Sequence, residues 1–248
     1  MEMISFEYKG KTALVTGANR GIGEAYVNAL INAGVKKIYA AARDLNNLEA
    51  LVKKHPEIIV PVLLDVTKAT DIHNLANNIT SLDILINNAG IANACSSTAD
   101  NTVDIARLEM ETNYFSPMQL TLAMLPLLKQ STSAAVINVC SIAAISNFPS
   151  LGPYSATKAA MHSFTQGLRT DLASENIRVV GVYPGPIDTR MAEGLEMDKP
   201  KPEQVALKTF EVLSAGGIDV MPDDFSEQMY AAFLSHPHEL EKAFAQMQ

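Results

Sequence analysis

The stretch that most constrains this chain is the partly β-branched run Lys11-Thr12-Ala13-Leu14-Val15-Thr16, which passes directly into Gly17-Ala18-Asn19-Arg20-Gly21-Ile22-Gly23. A short run of that composition reads as a strand. A helical pattern begins at about Ile22, carries Ile22, Tyr26, Leu30 and Ala33 on one side, and stops at Gly34, a residue that readily takes the left-handed turn closing a helix. Strand, glycine turn and helix N-terminus together form a phosphate cradle. The glycines let the backbone turn tightly against a pyrophosphate, and the free N–H groups and positive dipole end of the helix attract it. The spacing is Gly-x-x-x-Gly-x-Gly and no Lys-Ser/Thr follows it, so nucleotide hydrolysis of the P-loop kind is disfavoured.

The rest of the chain repeats the alternation. Strand-like runs occur at residues 12–16, 37–41, 58–64, 83–87, 135–141 and 177–183, with helical patterns between them. This βαβα order predicts an α/β fold: a doubly wound, mostly parallel sheet flanked by helices. Pro61 lies inside the third run and cannot donate to a sheet ladder, so that strand belongs at an edge, as strand order 3-2-1-4-5-6 requires. No linker, charge block or repeat divides the 248 residues, and a single domain over 1–248 is expected.

Bulk properties exclude several classes. A net charge of −8 and a pI near 5.1 leave no basic stripe to neutralise phosphates, so no nucleic-acid partner is expected. The acidic first seven residues do not resemble a signal peptide, and the longest apolar stretch, 134–145, is too short to span a bilayer. A soluble, cytoplasmic protein without a membrane partner is expected. Two cysteines, Cys95 and Cys140, make no disulfide framework, and Cys140 reads as a small core residue. The five histidines show no zinc-like grouping; His236-Pro237-His238 lacks a third ligand and reads as a loop or helix start, so no metal is expected.

One pair suggests acid–base chemistry. Tyr154 and Lys158, four residues apart on a helix, place a phenol and an ammonium on one face. A phenol titrates near pH ~10, and a neighbouring cation is what makes it useful at neutral pH. Ser141, thirteen residues before Tyr154, ends a strand-like run, and the C-terminal strand edge is where such sheets place functional groups. In the helical stretch 103–128, Pro117 removes the N–H that would bond the Asn113 carbonyl, freeing or kinking the backbone there.

Thr16-Gly17-x-x-x-Gly21-Ile22-Gly23, Asn87-Asn88-Ala89-Gly90, Asn113, Ser141, Tyr154-x-x-x-Lys158 and Pro184-Gly185 follow one another in order. With them the chain, from about residue 10 to 189, resembles the classical short-chain dehydrogenase/reductase (SDR) family, a single-domain Rossmann fold. The resemblance implies hydride transfer between a nicotinamide and a carbonyl or alcohol carbon, with Asn113, Ser141, Tyr154 and Lys158 catalytic. Tyr154 would protonate the developing alkoxide, Ser141 would donate a hydrogen bond to the same oxygen, and Lys158 would lower the Tyr154 pKa and bind the nicotinamide ribose. A water on the freed Asn113 carbonyl, linked to Lys158, would relay protons.

The resemblance also implies a cofactor site of Gly17, Asn19, Arg20, Gly21, Ile22, Gly23, Arg43, Asp65, Val66, Asn88, Ala89, Gly90, Tyr154, Lys158, Pro184, Gly185, Ile187 and Thr189. Asp65 would meet the adenine, its alternative being a helix N-cap. Ile187 would meet the carboxamide, and Thr189 the phosphates. It divides the domain into a dinucleotide-binding and catalytic core, 1–190, and a substrate lid with C-terminal helices, 191–248. Met191, Leu195 and Met197 are lid candidates, or residues of a surface loop. Ile91, Ala92, Ile142, Ala143, Phe148 and Met191 are candidates for an apolar substrate pocket.

An NAD enzyme usually carries an acid at the end of the second strand; here that position is Ala42, followed by Arg43. Arg43 and Arg20 suit the 2′-phosphate of NADP(H), with NAD(H) the alternative. The expected function is an NADP-dependent carbonyl reductase acting on a small, hydrophobic carbonyl or alcohol substrate. The alternatives are an NAD-linked alcohol dehydrogenase working oxidatively and a non-catalytic dinucleotide-binding sensor. By analogy a homo-oligomer, a dimer through helices at 103–128 and 154–174, is expected. The tail, 218–248, lacks a Gly-rich ending, which weighs against a tetramer.

Overall fold

The computed structural model describes residues 5–246; the ends of the expected domain, 1–4 and 247–248, lie outside the described residues. The first half of the sheet is β1 (Thr12–Thr16), β2 (Lys37–Ala42), β3 (Ile59–Leu63) and β4 (Ile84–Asn87). It is completed by β5 (Ala134–Val139), β6 (Ile177–Val182) and β7 (Asp219–Val220). The order is β3-β2-β1-β4-β5-β6-β7, and every described pairing is parallel. Among the described residues β3 pairs only with β2, and Pro61 stands opposite Ala40 on that edge strand. Leu63 is 61% exposed there, whereas every residue of β1, β4 and β5 is buried.

Alternation along the strands splits the core into two layers. Ala13, Val15, Ile38, Ile84, Ile137 and Val180 face one layer; Leu14, Tyr39, Leu85, Val136 and Val179 face the other. The first layer is closed by α1 (Gly21–Asn32) and α7 (Pro202–Ser214). They are joined by a 2.8 Å hydrogen bond between the Tyr26 and Thr209 hydroxyls, and Tyr8 stacks on Phe210 beside them. The second layer is closed by α3 (Ala69–Asn78), α5 (Ser116–Leu128) and α6 (Gly152–Asp171).

Short α2 (Glu49–Lys54) links β2 to β3, and α4 (Thr102–Met110) precedes α5. The tail forms α8 (Asp224–Ser235) and α9 (Pro237–Ala245), with the expected helix start at His236-Pro237. Phe244 of α9 packs 4.2 Å from Phe148, which ties the tail to the loop after β5.

Three details differ from the sequence reading. The runs read as 83–87, 135–141 and 177–183 pair over shorter spans, so Asp83, Cys140, Ser141 and Tyr183 fall just outside the strands. β7 escaped notice because two residues carry no periodicity. It is placed by Arg169, which pairs with Asp219 and donates to the Val179 carbonyl at 3.0 Å. The stretch 103–128 is not one kinked α-helix: residues Glu111–Phe115 form a π turn in which the Ser116 N–H bonds the Glu111 carbonyl. The widened turn lies immediately ahead of Pro117.

Candidate active site

The C-terminal edge of the sheet gathers the glycine turn, Asn88 to Gly90, Ser141 and Pro184 to Thr189. At the glycine turn, Gly17 and Gly21 have φ of 63° and 55°, a region that other residues rarely adopt. A Cβ on Gly23 would lie 2.1 Å from the Gly17 carbonyl oxygen, so only glycine fits where α1 meets β1. Among the described residues no side chain caps the N-terminus of α1, which leaves its first amides directed toward the turn.

Two loops close on this cradle. The Thr16 hydroxyl accepts from the Asn88 and Ala89 N–H groups at 2.9 and 3.0 Å, and the Asn88 amide donates to the Thr16 carbonyl at 2.8 Å. Thr189 lies against Gly21, where an added Cβ would meet its methyl at 3.1 Å. Gly185 is held by its N–H donating to Asp223 at 2.9 Å, while the same carboxylate caps α8 by accepting from the Ser226 N–H at 2.9 Å. Ile187 is buried in the first core layer. Asp223 was missed as a supporting residue because its partner lies 38 positions away.

On the other side of β1, the Ala18 N–H bonds the Ala41 carbonyl at 3.0 Å, so the glycine turn sits beside the end of β2. Arg20 and Arg43 are both exposed there. Asp65 is not an N-cap: it accepts from the Thr67 hydroxyl and N–H at 2.7 and 3.1 Å in a turn ahead of α3. The Thr67 hydroxyl, with smaller pulls from Lys68 and Arg43, holds its carboxyl below the usual range. Val66 beside it is half-buried.

The four expected catalytic side chains come together at the N-terminal half of α6. The Asn113 amide donates to the Ile91 carbonyl at 2.8 Å and to the Thr157 hydroxyl at 3.0 Å, and its oxygen accepts from the Ile91 N–H at 2.9 Å. Thr157 in turn donates to the Tyr154 carbonyl at 2.7 Å, a bridge that the sequence reading overlooked. Lys158 Nζ donates to the Val139 carbonyl at 2.9 Å and lies 5.6 Å from the Tyr154 ring centre. A Cβ on Gly90 would stand 3.1 Å from Asn113 Oδ1 and 3.7 Å from Lys158 Nζ, so glycine is what lets this loop pass between them. The Ser141 hydroxyl accepts from the Ala143 N–H at 3.1 Å and faces the Pro184 carbonyl at 3.5 Å.

The charge state of the pair departs from expectation. Burial pushes the Tyr154 phenol up to about 12; a hydrogen bond from Ser141 opposes this, while Cys140 and Glu109 add to it. Lys158 does not pull it down as expected. Its own pKa is lowered, chiefly by burial, with Cys140 and Glu109 opposing. Cys140 is buried and pushed up to about 11, which leaves it a packing residue.

Around this centre, Ile142 and Ala143 are buried and Ile91 and Ala92 half-buried, while Phe148 is engaged by Phe225 and Phe244. Met191, Leu195 and Met197 stand 54%, 51% and 42% exposed on the segment before α7. Lys199 braces that segment by donating to the Ala192 and Leu195 carbonyls at 3.0 and 2.8 Å.

The family model described as short chain dehydrogenase matches residues 11–200. The chain belongs to the short-chain dehydrogenase/reductase family. Among curated relatives it is 34% identical to a dehydrogenase/reductase SDR family protein 7-like of Anopheles gambiae, over 74% of this chain but 61% of that protein. The NADP-dependent 3-hydroxy acid dehydrogenase of Schizosaccharomyces pombe is 31% identical over 74% of each chain. Among solved structures, a short-chain dehydrogenase from Burkholderia cenocepacia in complex with NADP superposes with a TM-score of 0.90. It has 32% identity and covers 96% of this chain and 99% of that one. The NADPH-bound carbonyl reductase from chicken fatty liver gives 0.77 with 30% identity, covering 83% and 92%. The chain is therefore an SDR oxidoreductase with the Rossmann fold of its family. Among the described residues, no helix is long and apolar enough to cross a membrane.

Proposed function

We propose that this SDR enzyme is an NADPH-dependent carbonyl reductase of a small apolar substrate, with Tyr154 as its acid. The observation that carries the reading is the buried Tyr154 phenol beside Ser141 and Lys158, which keeps its proton at neutral pH, as a reduction requires. When bound, the nicotinamide supplies the hydride. Tyr154 passes its proton to the alkoxide oxygen that develops, and Ser141 donates a hydrogen bond to the same atom, where charge builds in the transition state. Lys158, its Nζ held by the Val139 carbonyl at 2.9 Å and 5.6 Å from the Tyr154 ring centre, would bind the nicotinamide ribose. Asn113 holds the Ile91 backbone at both its N–H and carbonyl, and Ile91, Ala92, Ile142 and Ala143 would line the substrate side of the site.

The residues present fit the cofactor. Gly17, Gly21 and Gly23 with the uncapped start of α1, including Asn19 and Ile22, would hold the pyrophosphate. Asp65 and Val66 would hold the adenine, Asn88, Ala89, Gly90 and Lys158 the ribose side, and Pro184, Gly185, Ile187 and Thr189 the carboxamide and phosphates. Ala42 leaves no carboxylate at the end of β2 to repel a 2′-phosphate, and Arg20 and Arg43 are free to clamp one. The NADP and NADPH complexes of the two solved relatives agree with that choice. Parallel titration with NADPH and NADH by nicotinamide fluorescence tests it. NADPH should bind at least about tenfold tighter, ~1.4 kcal/mol, and Arg43→Ala should reduce that ratio. Equal affinities in the parent protein would overturn the assignment.

The same reading includes a homodimer in the cytoplasm. Val103 and Leu108 of α4, Phe115 of the π turn and Leu122 of α5, all between 45% and 60% exposed, offer the outer surface that a second copy would cover.

A further inference from the structure

Thr157 stands between Tyr154 and Lys158 on α6 and takes no part in the chemistry above, yet it is fully buried. Its hydroxyl donates to the Tyr154 carbonyl at 2.7 Å and accepts from the Asn113 side-chain amide at 3.0 Å. The same amide nitrogen also donates to the Ile91 carbonyl at 2.8 Å, and Asn113 Oδ1 accepts from the Ile91 N–H at 2.9 Å. A continuous line of hydrogen bonds therefore runs from the Ile91 backbone, through Asn113 and Thr157, to the backbone of Tyr154.

Chemistry fixes the direction of every bond in that line. A hydroxyl has one proton, and Thr157 gives it to the Tyr154 carbonyl, so toward Asn113 it can only accept. Asn113 must then turn its nitrogen to Thr157 and its oxygen to the Ile91 N–H, which leaves its amide a single orientation. The choice of carbonyl is particular as well. Thr121, Thr165 and Thr209, likewise buried on helices, donate four residues back, to Pro117, Met161 and Val205. Thr157 reaches three back, to Tyr154 rather than Pro153. The segment that follows β4 meets α6 once more at the first residue of the helix, where the Gly152 N–H donates to the Cys95 carbonyl at 3.0 Å. Two attachments hold the segment rigidly against the helix; with the Thr157 link gone, it is free to pivot about the other.

We propose that Thr157 is a positioning residue: by joining Asn113 to the Tyr154 backbone, it fixes the spacing between the segment that lines the ribose side of the cofactor and the helix that carries the acid. Hydride arriving at the carbonyl carbon and the Tyr154 proton arriving at its oxygen then meet one substrate in register. The proposal rests on the catalytic reading of Tyr154. Loss of the hydroxyl leaves a buried Asn113 N–H unpaired, and the amide relieves that cost only by turning away from its present place.

Four variants test it. Thr157→Val removes the hydroxyl and keeps the volume, Thr157→Ala removes it in favour of the best helix former, and Thr157→Ser keeps the hydroxyl without the methyl. Thr165→Val is the control: it removes an equally buried hydroxyl of α6 that also accepts from an asparagine amide, that of Asn138 at 2.9 Å, away from the cofactor segment. For each, kcat and KM for carbonyl reduction are measured beside NADPH affinity by nicotinamide fluorescence and the melting temperature. A misplacement of about 1 Å is worth about 100-fold in rate, so Thr157→Val and Thr157→Ala should lose at least about tenfold in kcat while binding NADPH as the parent does. Thr157→Ser should recover the parent's kcat, and Thr165→Val should lower the melting temperature with kcat kept. Val and Ala variants that turn over like the parent, or a Thr165→Val protein that loses as much kcat as they do, would overturn the proposal. So would a Thr157→Ser variant as slow as Thr157→Ala. A parent protein that binds NADPH and reduces no carbonyl fails the reductase reading itself, and this proposal with it.

Discussion

At the scale of single residues, the glycines do more of the specifying than the charged groups. Gly23 was legible in the sequence as part of a phosphate cradle, but its strictest constraint is internal: a Cβ there would meet the Gly17 carbonyl at 2.1 Å and the Asn88 amide at 2.6 Å. Neither neighbour is the free end of a flexible chain, so the turn itself must shift. Gly23→Ala should weaken NADPH at least about tenfold, measured by fluorescence titration with the melting temperature followed alongside. Unchanged affinity would mean that the turn does not carry the pyrophosphate. Tyr154 and Lys158 were equally legible as a pair, but not their protonation. The spacing of four puts both on one face; how far each is buried depends on β5, the Ser141 loop and α4, which no local pattern reveals.

At the scale of elements, the sheet order and the edge position of β3 followed from strand-like runs and one proline. The π turn did not. Pro117 just after it is visible in the sequence, but whether the backbone kinks or widens is decided by what surrounds it. Here the Ser116 hydroxyl and N–H both bond the Glu111 carbonyl, the hydroxyl at 2.6 Å, which fixes the widened turn immediately ahead of Pro117. The widened turn holds Asn113, buried, directly behind Gly90. It also places Phe115 outward, 45% exposed, in line with Leu122 at 55%. Phe115→Asp should therefore convert the dimer proposed above to monomer, read as a halved mass by light scattering at micromolar concentration. A parent protein that is already monomeric would contradict the dimer.

At the scale of the whole molecule, the C-terminal tail is fastened to the site rather than appended to it. Asp223 caps α8 and holds Gly185; Phe225 and Phe244 pack on Phe148 from the loop after Ser141. The motifs legible in the sequence end at about residue 189, because a glycine turn or a Tyr-x-x-x-Lys has a local spacing. The tail is joined by contacts across tens of residues, each an ordinary Asp or Phe, and it leaves no such signature.

The claim that unites these scales is that Tyr154 delivers the proton in an NADPH-driven carbonyl reduction. The most direct test is carbonyl-dependent oxidation of NADPH by the parent protein and by Tyr154→Phe, over a panel of aldehydes, ketones and quinones, with NADPH affinity measured on both. Loss of a general acid is worth about 100-fold or more in rate, so the variant should bind NADPH as the parent does and turn over at least about 100-fold more slowly. A Tyr154→Phe protein that reduces the same carbonyl at the parent's rate would contradict the account.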